Sequence, residues 1–221
     1  MRHRFPDGAV HRESKMQYID MENWPRRELF DFMSGIKDPF YAVTFTQDVT
    51  KLYDYTKAHG LSFYHALTYL VTKAVNRVEN FRYDIVGGKV VLRRERVPSF
   101  TELRRETELF YFVNVRASGT MEEFCAQAAE KAAAQTTLFG EEDTRDLLFI
   151  SCLPWIEMTA LTNEGMTDPD DCIPRISWGK WREEGGRKTL GISLEVNHRV
   201  VDGVHIGKFA QELTRRIEAL E

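Results

Sequence analysis

Between Leu190 and Leu213 the apolar pattern changes period once, and this switch constrains the fold more than any other feature of the chain. Leu190, Ile192, Leu194 and Val196 share one parity, while Ser193, Glu195 and Asn197 take the other. That is the period of a strand with one buried face. His198 continues the apolar parity, so its side chain is expected to point where the buried side chains point. Asp202-Gly203 then breaks the strand, and Ile206, Phe209, Leu213, Ile217 and Leu220 recur at helical spacing. Asp202 stands at the N-cap position of that helix. An imidazole on the buried side of a strand-to-helix corner needs either a hydrogen-bonded structural role or a chemical one.

The remaining segments are read in the same way. Asn23 opens a short helix with Pro25 near its start and Trp24, Leu29, Phe30 and Met33 on its apolar side. Tyr41, Val43 and Phe45 alternate as a strand. Asp48 caps a helix closing at Gly60, and Ser62 caps a longer one whose wide apolar stripe suits packing on a sheet. His65 on that helix reads as structural, having no acidic neighbours in sequence. Gly87-Gly88 supplies the positive φ of a hairpin turn between Tyr83–Val86 and Lys89–Leu92. A third strand spans Glu108–Val115, and Thr120 with Glu123 forms a capping box for an alanine-rich helix that fades near Gln135. Residues 136–146 read as a loop. Leu147–Ile150 is a strand running into Ser151, a loop spans Asn163 to Asp171, and Ile176, Trp178 and Lys180 start the strand that turns at Gly185-Gly186 into Leu190–His198. Together these predict a two-layer α/β sandwich, a mixed or antiparallel sheet with helices packed on one face.

At 221 residues the chain is expected to hold one domain over residues 16–221, with 1–15 a flexible N-terminal extension. Thirty basic against 34 acidic residues leave a net charge of −4, which argues against a nucleic-acid surface. No run approaches the roughly 18 apolar residues of a membrane span, and no signal-peptide pattern opens the chain. Cys125, Cys152 and Cys172 have no metal-ligand spacing and read as free thiols of a reducing compartment, so a cytoplasmic location is expected.

Three readings of the corner compete. His198, Asp202 and His205 have a spacing that can suggest metal ligands of a hydrolase, but Gly203 separates strand from helix, so the three need not converge, and no HExxH-type partner is present. His198 can also be a satisfied core histidine. The third reading joins it to Ser151, a hydroxyl at the end of an apolar strand before Pro154-Trp155. A base and a separate hydroxyl donor are the minimum apparatus for acyl transfer.

The residues Asn197-His198-Arg199-Val200-Val201-Asp202-Gly203 resemble the His-x-x-x-Asp-Gly signature of chloramphenicol acetyltransferases and dihydrolipoyl acyltransferases. Trp24-Pro25-Arg26-Arg27-Glu28-x-Phe30, Glu106-Thr107-Glu108, Ile150 to Trp155 and Ile173 to Ser177 also have counterparts in order. The resemblance covers about residues 16–221. It implies a homotrimer with active sites at subunit interfaces, acetyl-CoA as co-substrate, no metal, and a small-molecule hydroxyl acceptor such as chloramphenicol. It makes His198 the general base and Ser151 the oxyanion donor. Ser177 matches a threonine that holds an ordered water, and Asp202 a structural aspartate paired with Arg26 rather than a relay partner of His198. Lys180 matches a lysine that reaches a CoA phosphate.

Four positions depart from the pattern. Asn197 replaces the first of two consecutive histidines, as in the dihydrolipoyl branch. Met33 replaces a tyrosine that contacts the drug, Tyr41 a phenylalanine of the pocket, and Phe112 a small residue. Larger side chains shrink a packed pocket. The resemblance therefore supports acetyl transfer more firmly than it supports chloramphenicol as acceptor. The alternative expectation is a catalytically silent member that binds ligand or only assembles.

Overall fold

The computed structural model describes residues 17–104, 106–140, 146–164 and 168–221. The expected extension at 1–15 lies outside the described residues. Among the described residues ten strands and five α-helices follow in order: β1 Gln17–Tyr18, α1 Arg27–Ser34, β2 Phe40–Asp48, α2 Thr50–Ala58, α3 Phe63–Arg77, β3 Tyr83–Val86, β4 Lys89–Leu92, β5 Val97–Leu103, β6 Phe110–Asn114, α4 Met121–Ala134, β7 Leu147–Leu153, β8 Arg175–Gly179, β9 Arg182–Glu184, β10 Arg187–Asn197 and α5 Gly203–Glu218. The large sheet runs β2-β10-β8-β7-β5-β6, with β9 paired to the start of β10. It is mixed: β7 is parallel to both β5 and β8, and the other neighbours are antiparallel. A second, three-stranded sheet runs β1-β4-β3. The α/β fold expected from the sequence is present. None of the helices among the described residues is long and apolar enough to cross a membrane.

One face of the large sheet carries the apolar parity of every central strand. Ile192, Leu194, Ile176, Trp178, Ile150, Leu148 and Phe100 are all at most 2% exposed there. Against them lies α3, held at its start by Ser62 Oγ accepting from His65 N–H, with ten of its fifteen residues buried. Phe209 and Leu213 of α5 and Phe124 of α4 complete this core.

Several local expectations are corrected. Helix α1 starts at Arg27, because Asn23 turns its amide onto Asp20 instead of capping. Asp48 lies one residue before the α2 cap position and accepts from Thr50 N–H. Strand β5 was not expected, since Pro98 falls at its second residue, where a proline usually signals a strand's edge or end. His65 does have an acidic neighbour: Glu102 of β5 accepts from its Nε2 at 2.5 Å.

The largest correction concerns β10, read as half-buried. Ser193, Glu195 and Asn197, on its polar parity, are 1%, 7% and 2% exposed. The segment between β7 and β8 covers them. Ser193 Oγ donates to Leu161 O, Glu195 Oε2 accepts from Asn163 N–H, and Asn197 Nδ2 donates to Pro169 O and Asp171 O. Gly179 and Gly191 make room for this strip: a Cβ at Gly191 would stand 2.2 Å from Met158 O, and one at Gly179 2.6 Å from Met158 Cβ.

Candidate active site

His198 follows the last residue of β10 and is half-buried, its side chain 37% exposed, rather than enclosed in the core. Its backbone is held from two sides. Its N–H donates to Pro39 O at 2.7 Å, and its carbonyl accepts from Arg26 Nη2 at 3.0 Å. The Tyr41 ring packs beside the imidazole with centroids 4.4 Å apart, and Tyr41 Oη donates to Val201 O at 3.3 Å. Burial, then the charge of Asp202, pushes the Tyr41 hydroxyl up to about 12, so it stays a neutral donor near neutrality.

Arg26 and Asp202 form the expected pair. Nη1 meets Oδ2 and Nη2 lies 2.6 Å from Oδ1, a two-pronged contact that holds the Asp202 carboxyl below the usual carboxylate range. His198 Nε2 stands 3.5 Å from Oδ1 without forming a hydrogen bond, and both oxygens accept from Arg26. Asp202 caps α5 through its main chain: its carbonyl accepts from His205 N–H, and its own N–H donates to His205 Nδ1 at 2.8 Å. That contact uses the lone pair a metal would need. Among the described residues no cluster of three or more histidine, cysteine or acidic side chains is arranged to hold a metal ion.

Ser151 lies inside β7, not beyond the strand end, and is half-buried. Strand pairing puts it opposite Ser177, which is opposite Ser193, which is opposite Thr44. On the other side, Thr101 follows the Phe100–Ile150 pair and faces Phe112. A row of five hydroxyl residues thus crosses the sheet on the face away from the helices and ends at Phe112. Phe112 stacks flat on Phe139, centroids 5.1 Å apart, with Phe110 and Phe149 beside it. Cys152, next in sequence to Ser151, belongs to the helix-side parity, and burial pushes its thiol up to about 12, which leaves it a poor nucleophile.

Within one chain His198 and Ser151 do not meet. His198 contacts Tyr41, which pairs with Val196 on the helix side, whereas Ser151 lies on the opposite face. His198 is five residues beyond Ser193, and β7 is two strands from β10. At about 3.4 Å per residue and about 4.8 Å per strand, the two Cα atoms are about 20 Å apart.

Met33 is partly buried on α1. Lys180 is exposed on the β8–β9 connection, its N–H donating to Ile156 O. Beside it lies a cluster that sequence reading did not find: the Trp181 ring is 5.1 Å from Tyr53, with Lys188 Nζ 4.7 Å and Lys57 Nζ 5.4 Å from the Tyr53 centroid. These residues come from three elements, so no sequence motif joins them.

A family model of chloramphenicol acetyltransferase matches residues 15–214. The chain belongs to the chloramphenicol acetyltransferase family. Chloramphenicol acetyltransferase 2 of Escherichia coli is 32% identical over 201 residues, covering 88% of this chain and 93% of that protein. The Campylobacter coli chloramphenicol acetyltransferase is 30% identical over 204 residues, covering 88% and 95%. In structure the chain is similar to a solved chloramphenicol acetyltransferase, with TM-score 0.82, 24% identity and coverage of 91% and 99%. The truncated catalytic core of the 2-oxoacid dehydrogenase complex from Thermoplasma acidophilum shares the fold at TM-score 0.67 and 20% identity. The protein is an acyltransferase, with acetyltransferase function supported by these relatives.

Proposed function

We propose that the protein transfers an acetyl group from acetyl-CoA to a hydroxyl of chloramphenicol or a related small molecule, at sites built between copies of the chain in a homotrimer. The observation that carries this reading is the separation of His198 from Ser151. Each matches a catalytic group of the family in sequence, yet they lie on opposite faces about 20 Å apart, so a site using both draws them from two copies. The relatives in Campylobacter coli and Escherichia coli are chloramphenicol acetyltransferases, which makes chloramphenicol the acceptor to try first.

The chemistry follows from the side chains. His198 takes the proton of the acceptor hydroxyl as its oxygen bonds to the thioester carbonyl carbon. Ser151 donates a hydrogen bond to the carbonyl oxygen as it becomes an oxyanion, and Ser177 beside it holds an ordered water. Collapse breaks the carbon–sulfur bond, and imidazolium returns its proton to the departing thiolate, which restores His198. Arg26 and Asp202 hold the corner without handling protons. Lys57 and Lys188 over Tyr53, Lys188 also beside Trp181, and the exposed Lys180 next in sequence to Trp181 suit a phosphate-bearing, flat-ringed co-substrate such as CoA. Met33, Tyr41 and Phe112 line the acceptor side. Three cysteines without a disulfide agree with a cytoplasmic home.

Mixing two inactive variants tests the reading. His198→Ala and Ser151→Ala are each assayed for CoA thiol release with chloramphenicol and a panel of simple alcohols, then unfolded and refolded together. Random reassembly gives about a quarter of the sites an intact His198 and an intact Ser151, so activity returns to about that fraction. Mixtures that stay as inactive as their parents overturn the shared site.

A further inference from the structure

We propose that Asn197 is a positioning residue for His198, closing the turn that presents the imidazole. Its side-chain oxygen accepts from Arg199 N–H at 3.0 Å. That contact joins residue i to residue i+2 and wraps the backbone around His198 in the manner of an Asx turn. The Asn197 carbonyl adds two more closures, accepting from Val200 N–H at 3.1 Å and Val201 N–H at 3.0 Å. Three consecutive amides after His198 are therefore collected by one residue, which is 2% exposed.

The amide nitrogen of the same side chain points away from the turn. Nδ2 donates to Pro169 O at 2.9 Å and Asp171 O at 3.0 Å, anchoring the strip that covers β10. Arg199 reinforces that side, its guanidinium meeting Asp170 Oδ1 at 3.0 Å and Pro169 O. Asn197 thus has two jobs: its oxygen shapes the His198 turn and also accepts from Arg199 Nε at 3.3 Å, and its nitrogen holds the strip directly. A shift of the turn by a fraction of an ångström moves the imidazole relative to its partners from another copy, which lowers the rate of the chemical step rather than the affinity for either substrate.

The inference rests on His198 being the base, and the test separates the two. Asn197→Asp keeps an oxygen for Arg199 N–H and removes the donor to the strip. Asn197→Gln keeps amide donors but carries one methylene too many to close the turn. Asn197→Ala removes both. Each is measured for kcat, KM for acetyl-CoA and acceptor, and thermal midpoint, with His198→Ala as control. The expected result is kcat within about threefold of wild type for Asp, and ~10–100-fold lower for Gln and Ala with both KM values little changed. Where Ala does not fold, Gln against Asp decides. If kcat follows thermal stability through the series, or Gln keeps full kcat, Asn197 acts only as a strut and the inference fails. If His198→Ala itself leaves turnover unchanged, the failure lies with the assignment of the base.

Discussion

Arg26 reaches across 176 positions of sequence to take both carboxylate oxygens of Asp202. The same guanidinium donates to His198 O at 3.0 Å and Arg199 O at 2.8 Å. One side chain therefore fixes both the start of α5 and the carbonyls of the His198 turn. A planar fork can do this where a lysine, a single point charge, cannot.

Asp202→Asn leaves a largely buried guanidinium without its counter-charge, so unfolding free energy is expected to fall by about 3 kcal/mol in denaturant titrations. Arg26→Lys should fall by a smaller amount, and the double variant should show coupling of about 1–3 kcal/mol. Their losses of kcat should run in parallel. A large kcat loss in Asp202→Asn with Arg26→Lys near normal would instead mean that the carboxylate acts on the imidazole directly.

Acid should loosen the same corner. Burial, opposed by Asp202, holds the His205 imidazole below its ordinary value of about 6.5. Its Nδ1 must stay unprotonated to accept from Asp202 N–H. The unfolded chain then binds more protons than the folded one, and stability falls as the pH drops below about 6.5. Asp202, also held low, adds its own loss only below the usual carboxylate range near pH 4. Thermal midpoints from pH 8 to 5 should decline in wild type and decline less in His205→Gln. Parallel curves would remove His205 as the cause.

The covering strip offers a steric test. Gly191→Ala places a methyl 2.2 Å from Met158 O, a main-chain atom with nowhere to rotate. A stability loss of about 1–3 kcal/mol is expected, with faster proteolysis between Pro154 and Pro174. Wild-type proteolysis in the variant would show that the strip yields without cost.

For the two groups proposed to act in catalysis, His198→Ala should lower kcat by ~10²–10⁴-fold, and Ser151→Ala by ~10²–10³-fold. Acetyl-CoA affinity should change little in either, since both contacts strengthen only as charge develops. Equilibrium binding beside single-turnover rates separates the two effects.

Strand and helix periods made the α5 corner, the Gly87-Gly88 hairpin and both caps at Ser62 and Thr120 legible, because each is decided within a few residues. What escaped depended on neighbours distant in the chain. Ser193, Glu195 and Asn197 read as a solvent face because polar residues at strand parity normally are one. Their burial comes from a strip some thirty residues earlier that satisfies each of them with a main-chain group. Glu102 could not be matched to His65 without β5, which Pro98 concealed. The hydroxyl row needed the register of the strands, since Thr101, Ser151, Ser177, Ser193 and Thr44 are unremarkable singly.

That row also carries a gradient. Ser193 and Ser177 are only 1% and 2% exposed, whereas Ser151, the next in line, is partly open. Ser151 therefore stands on a shoreline between the buried stretch of the row, where Ser177 is proposed to keep a single water, and bulk solvent. A hydrogen bond made at the edge of a buried stretch is weakened less by competing bulk solvent than one made in the open, which suits the oxyanion role proposed for Ser151.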